Sequence, residues 1–276
     1  STLNLSDSDF LNAKYFFSGS GGSVINRGTI TAAAGGYVAL LGAQAINEGI
    51  IVARQGAVAL GAGSALTLDM QGDGLLSLAV DSAAMNVLAR NKGLIQADGG
   101  YVFMTARSAD ALAGTVVNNG GIIQARTLAV KNGRIILDGG TAGTVEVGGT
   151  LDASAPNGGD GGFIETSGAN VKMAEGTTIT AAAPYGKAGK WLLDPVDITV
   201  DATLATTIQN ALNGGSDVDV ETAAGDGAGD ITVASTVTWS TDNTLMLNAY
   251  RNIYVNEAII AGSGGSVSLK ADSTGT

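Results

Sequence analysis

Apolar and polar residues alternate along most of this chain in short runs. Val38/Leu40, Val58/Leu60 and Val102/Met104 point to one side, while Tyr37, Ala59 and Phe103 point to the other. A period of two predicts short strands, not helices. One segment departs from it. Leu204, Ile208 and Leu212 recur at helical spacing, with Asp201 placed to cap the start and Gly214 to end it. This predicts a short helix near 201–213, lying on the flank of the β-structure with its apolar stripe down.

The strands belong to a repeat. Gly28, Gly49, Gly93, Gly121 and Gly149 each open a five-residue copy: two mostly apolar or Thr residues, one variable residue, then Ala. Asn26, Asn47, Asn91 and Asn119 stand two residues ahead of four copies, and a longer copy opens at Gly176. A second element, Gly-x-apolar-x-apolar, begins at Gly36, Gly56, Gly100, Gly133, Gly162 and Gly265, with a looser member at Gly189. Copies of the first element are spaced 21, 44, 28, 28 and 27 residues apart. The interval of 44 reads as two coils, with Gly72-Asp73-Gly74-Leu75-Leu76 as a degenerate rung between them.

Short strands repeating every 20–30 residues predict a solenoid. The fold expected is an all-β parallel β-helix of roughly 10–11 coils, about 50 Å long, with one short flanking helix. Glycine is expected at positive-φ corners. The asparagines are expected to stack and bond up a column. Hairpin turns of a β-sandwich would not keep the Asn and Gly positions in register. The chain reads as one continuous solenoid. Residues 1–195 carry short and then longer coils, and residues 196–276 continue them with the helical insertion, across a softer boundary near Pro195.

Composition then narrows the function. The chain of 276 residues has 42 glycines but 3 prolines, which excludes collagen, and a mean hydropathy of +0.25, which disfavours disorder. With Cys 0 and His 0, disulfides, thiol nucleophiles, imidazole bases and the commonest metal ligand are excluded. Lys+Arg 14 against Asp+Glu 25 gives a net charge of −11, a poor match to nucleic acid or anionic lipid. No apolar run approaches the ~20 residues of a membrane span. No cofactor is expected.

Three stretches carry a resemblance. They are Gly161-Gly162-Phe163-Ile164-Glu165-Thr166-Ser167-Gly168; Trp191-Leu192-Leu193-Asp194-Pro195-Val196-Asp197-Ile198-Thr199-Val200; and Ile208-Gln209-Asn210-Ala211-Leu212-Asn213-Gly214 with Gly229-Asp230-Ile231-Thr232-Val233 after it. The chain resembles the filamentous-haemagglutinin-like exoproteins of two-partner secretion in Gram-negative bacteria, nearest to the high-molecular-weight and biofilm-matrix adhesins. Gly72-Asp73-Gly74-Leu75-Leu76-Ser77-Leu78 is similar to the segment that follows their secretion domain. The resemblance implies a right-handed parallel β-helix, exported through an outer-membrane transporter barrel. It also implies a secreted or surface-bound protein that attaches to host cells, neighbouring cells or matrix polysaccharide. The family's secretion domain carries Asn-Pro-Asn motifs. The prolines here are Pro156, Pro184 and Pro195, none within such a motif, so the expectation is that the secretion domain lies outside this chain.

The candidate binding residues are aromatic. Tyr37, Tyr101 and Phe163 each follow the glycine of the second element and are expected to face outward on one sheet, as a platform for sugar rings or a partner surface. Trp191 falls at an inward slot. The alternative is a polysaccharide-degrading β-helix enzyme, which needs clustered carboxylates. The close acidic pairs are Asp7/Asp9, Asp217/Asp219 (with Glu221) and Asp226/Asp230, and they read as a solvated face. Residues 225–230 lack the register of a calcium β-roll, and Asp69 to Asp73 lacks EF-hand spacing. The resulting expectation is a non-catalytic adhesin segment, a rigid stalk with an attachment surface. A pure spacer is the remaining option.

Overall fold

The computed structural model describes residues 1–69, 77–109 and 114–272. It is a parallel β-helix. Each regular coil supplies three short strands, and equivalent strands of successive coils pair in parallel. The first face stacks Ser23–Asn26, Gln44–Asn47, Leu88–Asn91, Thr115–Asn119, Thr144–Val147 and Asn170–Met173. The second stacks six strands from Thr29–Thr31 to Thr178–Thr180. The third face is the longest, with nine strands from Tyr37–Gly42 to Ser266–Lys270. Among the described residues nine strands define nine coils, about 40 Å of rod at ~4.8 Å per rung.

The expected 10–11 coils are too many, for a reason visible at the 44-residue interval. Gln44–Asn47 pairs directly with Leu88–Asn91, so no rung lies between them. Instead Ala65–Asp69 and Ser77–Ser82 leave the helix as an antiparallel pair. The proposed rung at Gly72–Leu76 and the EF-hand comparison at Asp69 to Asp73 fall wholly or partly outside the described residues, as does most of the Gly72 to Leu78 match. The antiparallel pair joins Tyr15–Ser18 and Asn4–Leu5 in a separate sheet. Leu3, Leu66 and Leu68 of that sheet and its approach pack on Leu41, Ala57 and Ala59 of the third face. A second helix, α1 (Asp7–Leu11), was not anticipated, and Ser6 caps it.

The lumen is filled as the alternation requires. Val58, Leu60, Val102, Met104, Ile135, Leu137, Ile164, Trp191 and Leu193 are fully buried. The Trp191 Nε1–H donates to Thr166 Oγ1 at 3.0 Å, so the indole is buried without an orphaned donor. The four asparagines form the expected column. Asn26 Nδ2 donates to Asn47 Oδ1, Asn47 Nδ2 to Asn91 Oδ1 and Asn91 Nδ2 to Asn119 Oδ1, each at 2.8 Å.

The repeated glycines serve a different purpose from the one expected. Of the glycines that open the repeats, only Gly176 has a positive φ; it occurs mainly at others, such as Gly35 and Gly99. At Gly49, Gly93, Gly121 and Gly149 an added Cβ would fall on the carbonyl oxygen of the equivalent glycine one coil earlier. These residues are glycine because neighbouring rungs approach too closely for any side chain.

Helix α2 (Ala202–Asn213) has the expected cap, with Asp201 accepting from the Leu204 N–H at 2.9 Å, and buries Leu204, Ile208 and Leu212. It does not lie over the flank. It takes the place of a second-face strand in coil 7, packed between Thr178–Thr180 of coil 6 and Val237–Trp239 of coil 8. A helix about 10 Å across fills the space of two rung spacings. The edge of Val237–Trp239 thereby loses a partner strand. Gln209 Oε1 accepts from the Thr238 N–H at 3.0 Å and Asn213 Oδ1 from the Ser240 N–H at 2.9 Å in its stead.

Candidate functional site

The third face places the candidate aromatics in one register column. Tyr37 pairs with Ala57, Ala57 with Tyr101, Tyr101 with Arg134, Arg134 with Phe163, and Phe163 with Lys190. The aromatics therefore occupy alternate rungs, about 10 Å apart, and do not form a continuous row. Tyr37 is 52% exposed. Tyr101 is half-buried against the antiparallel sheet and stacks on Phe103, ring centroids 6.4 Å apart and 13° from parallel. Phe163 is half-buried, with the Arg134 guanidinium 4.9 Å above its ring centre. Tyr101, Arg134 and Phe163 line a shallow depression of about 390 Å³, and Tyr37 lies outside it. Sequence reasoning missed Arg134, although it stands in the aromatic slot, directly after Gly133.

Farther along the third face is an acidic cleft of about 490 Å³ lined by Asp138, Glu165, Asp194 and Asp226, with Arg107 at its edge. Arg107 Nη2 bonds Asp138 Oδ2 at 2.6 Å. Burial, with Glu221, Glu165 and Asp138 nearby, pushes the Asp194 carboxyl up to about 6.

Three of the acidic residues singled out from the sequence, Asp217, Asp219 and Asp230, bond between coils of the rod. Asp217 Oδ1 accepts from the Thr244 N–H at 2.8 Å, and Asp219 pairs with Lys190. Asp230 grips Arg251 through two bonds of 2.9 and 2.7 Å, which holds its carboxyl below the usual range. Asp9 accepts from the Ser6 hydroxyl at 2.7 Å. In the 225–230 loop the Ala228 and Asp230 N–H groups donate to the Asp197 carboxylate at 3.0 and 2.8 Å. That loop turns amides toward a carboxylate, where a calcium loop turns oxygens toward a cation. Among the described residues, no three acidic side chains are placed to hold a metal ion.

The architecture defines the chain as a parallel β-helix with an antiparallel sheet laid over its first coils. No protein-family model and no curated protein matches the sequence. Among solved structures, that of the HMW1 secretion domain from Haemophilus influenzae is similar, with a TM-score of 0.66 and 20% identity, covering 97% of this chain and 73% of that one. At that identity the likeness is one of fold.

Proposed function

We propose that the chain is a β-helical module of a secreted bacterial exoprotein, exported through an outer-membrane transporter barrel and serving outside the cell as a rigid attachment stalk. The observation that carries this is the fold shared over 97% of the chain with a secretion domain. The coil pattern supports it. Each rung pairs with its immediate neighbours, and Cys 0 leaves no disulfide to form before passage. The sequence reading set the transporter-recognising domain outside this chain. The fold likeness to a secretion domain supports the opposite assignment, a chain that includes the transporter-recognising part. Expression behind a signal peptide, with and without a two-partner transporter, tests it. Folded protein is expected in the medium only when the transporter is present. Equal release without it, or no release with it, overturns the proposal.

Attachment is assigned to the Tyr37, Tyr101 and Phe163 column, favoured by the cation-backed depression at Tyr101, Arg134 and Phe163. Binding to cells or a glycan array should fall when these three become alanine. No binding by the unaltered protein would leave a pure spacer. Asp217, Asp219 and Asp230 are engaged in the rod's own bonds, so the polysaccharide-degrading alternative rests on the Asp138, Glu165 and Asp194 cleft.

A further inference from the structure

Coils 6 to 8 part at one corner of the rod. Residues 182–188, the C-terminal end of α2 and residues 241–244 enclose a cavity of about 620 Å³ there, larger than either the aromatic depression or the acidic cleft.

Its walls are fixed by hydrogen bonds. The Lys187 N–H donates to Asp160 Oδ1 at 2.8 Å, and the Lys187 carbonyl accepts from the Gly161 N–H at 2.9 Å. Opposite, Thr241 Oγ1 and Asn243 Nδ2 both donate to the Leu212 carbonyl at 2.7 Å. These bonds leave capacity unused on the lining. The Asn213 and Asp217 side chains each engage through one oxygen only, and neither Lys187 Nζ nor the Asp242 carboxylate bonds to any described residue.

One ammonium, two carboxylates, two amides and hydroxyls intersperse donors and acceptors over a small surface. Two carboxylates repel an anionic ligand, and the lining holds no cluster suited to a metal ion. The set fits a neutral polyhydroxyl ligand. The volume falls within the range of small-ligand sites. We propose that this corner cleft is a saccharide-binding site, separate from the aromatic column. The proposal rests on the attachment reading and gives it a second place on the rod.

The test is titration of the full chain with maltotetraose, cellotetraose and chitotetraose, followed by amide NMR shifts. At least one sugar should shift residues 184–188, 213–217 and 241–244. Lys187→Ala with Asp242→Ala should weaken binding by at least about tenfold. Both side chains are exposed, and a retained spectrum would confirm folding. Tyr101→Ala with Phe163→Ala should leave these shifts unchanged. Shifts confined to the Tyr101, Arg134 and Phe163 region overturn the cleft and leave the attachment reading standing. No shift with any sugar, or unchanged affinity in the cleft variant, also overturns it, whatever the export assay shows.

Discussion

Replacing Asn91 by leucine, a side chain of similar size, would cut the asparagine column at its middle. Asn91 is fully buried; it accepts from Asn47 and donates to Asn119, both at 2.8 Å, with weaker bonds to the Gly93 and Ile122 carbonyls at 3.3 Å. Two side-chain links vanish, each contributing about 1 kcal/mol net, and Asn119 Oδ1 loses its donor inside the rod, which costs about 1–3 kcal/mol more. The expected loss is about 3–5 kcal/mol. Asn119→Leu is the internal comparison. The column ends there, because the next rung carries Val147, so one link is lost and Asn91 Nδ2 keeps its two carbonyl partners. Its cost should be only about 1–2 kcal/mol. Leucine's added apolar burial is common to both variants and cancels in the difference. Urea unfolding followed by fluorescence of the buried Trp191 and Trp239 reads that difference directly. Equal losses at the two positions, or an Asn91→Leu variant as stable as the unaltered protein, would refute the claim that the column is cooperative.

Two further predictions follow from close approach and from charge. Gly93→Ala places a methyl group on the Gly49 carbonyl and should lower stability by about 1–3 kcal/mol, whereas Gly28→Ala meets nothing within 4 Å and should be near neutral in thermal unfolding. Asp194 ionises near 6 in the folded chain and at its ordinary 3.8 when unfolded, so its stabilising proton is fully held below 3.8 and is lost as pH rises through 6. Asp194→Asn should therefore leave stability unchanged at low pH. At neutral pH it should raise stability by about 1 kcal/mol, the full shift being discounted for solvent screening. Chemical unfolding at both pH values checks this, and a gain at low pH would refute it.

The features legible in the sequence were those that repeat. Asn26, Asn47, Asn91 and Asn119 must coincide to bond one another, and the glycines must coincide to let carbonyls pass, so rung-by-rung constraints leave a periodic trace. The helix was legible because its cap and stripe are local. The hairpin at 65–82 was not, because period-two alternation is the same for a strand in a rung and a strand that leaves the rod. What distinguishes it is long-range pairing, Phe17 with Leu66 and Leu66 with Val80. The same pairing hides part of the candidate site. The sheet that half-buries Tyr101 comes from segments far from it in sequence, so the slot predicted its direction but not its cover. The corner cleft left no trace either, since three loops from three coils converge there without sharing a motif.

Helix α2 divides the rod unequally. The nine-strand face passes coil 7 without interruption, while the first face breaks between coils 6 and 7, where Ile198–Val200 starts a new sheet with Ile231–Val233, and α2 replaces the second-face strand of coil 7. A force drawn along the axis thus crosses from coil 6 to coil 7 mainly through the backbone bonds of one face, aided by the helix packing. The stalk has one continuous load path and two broken ones. Bending that opens the broken side at coil 7 meets the least resistance, which gives the rod a preferred plane of flexure.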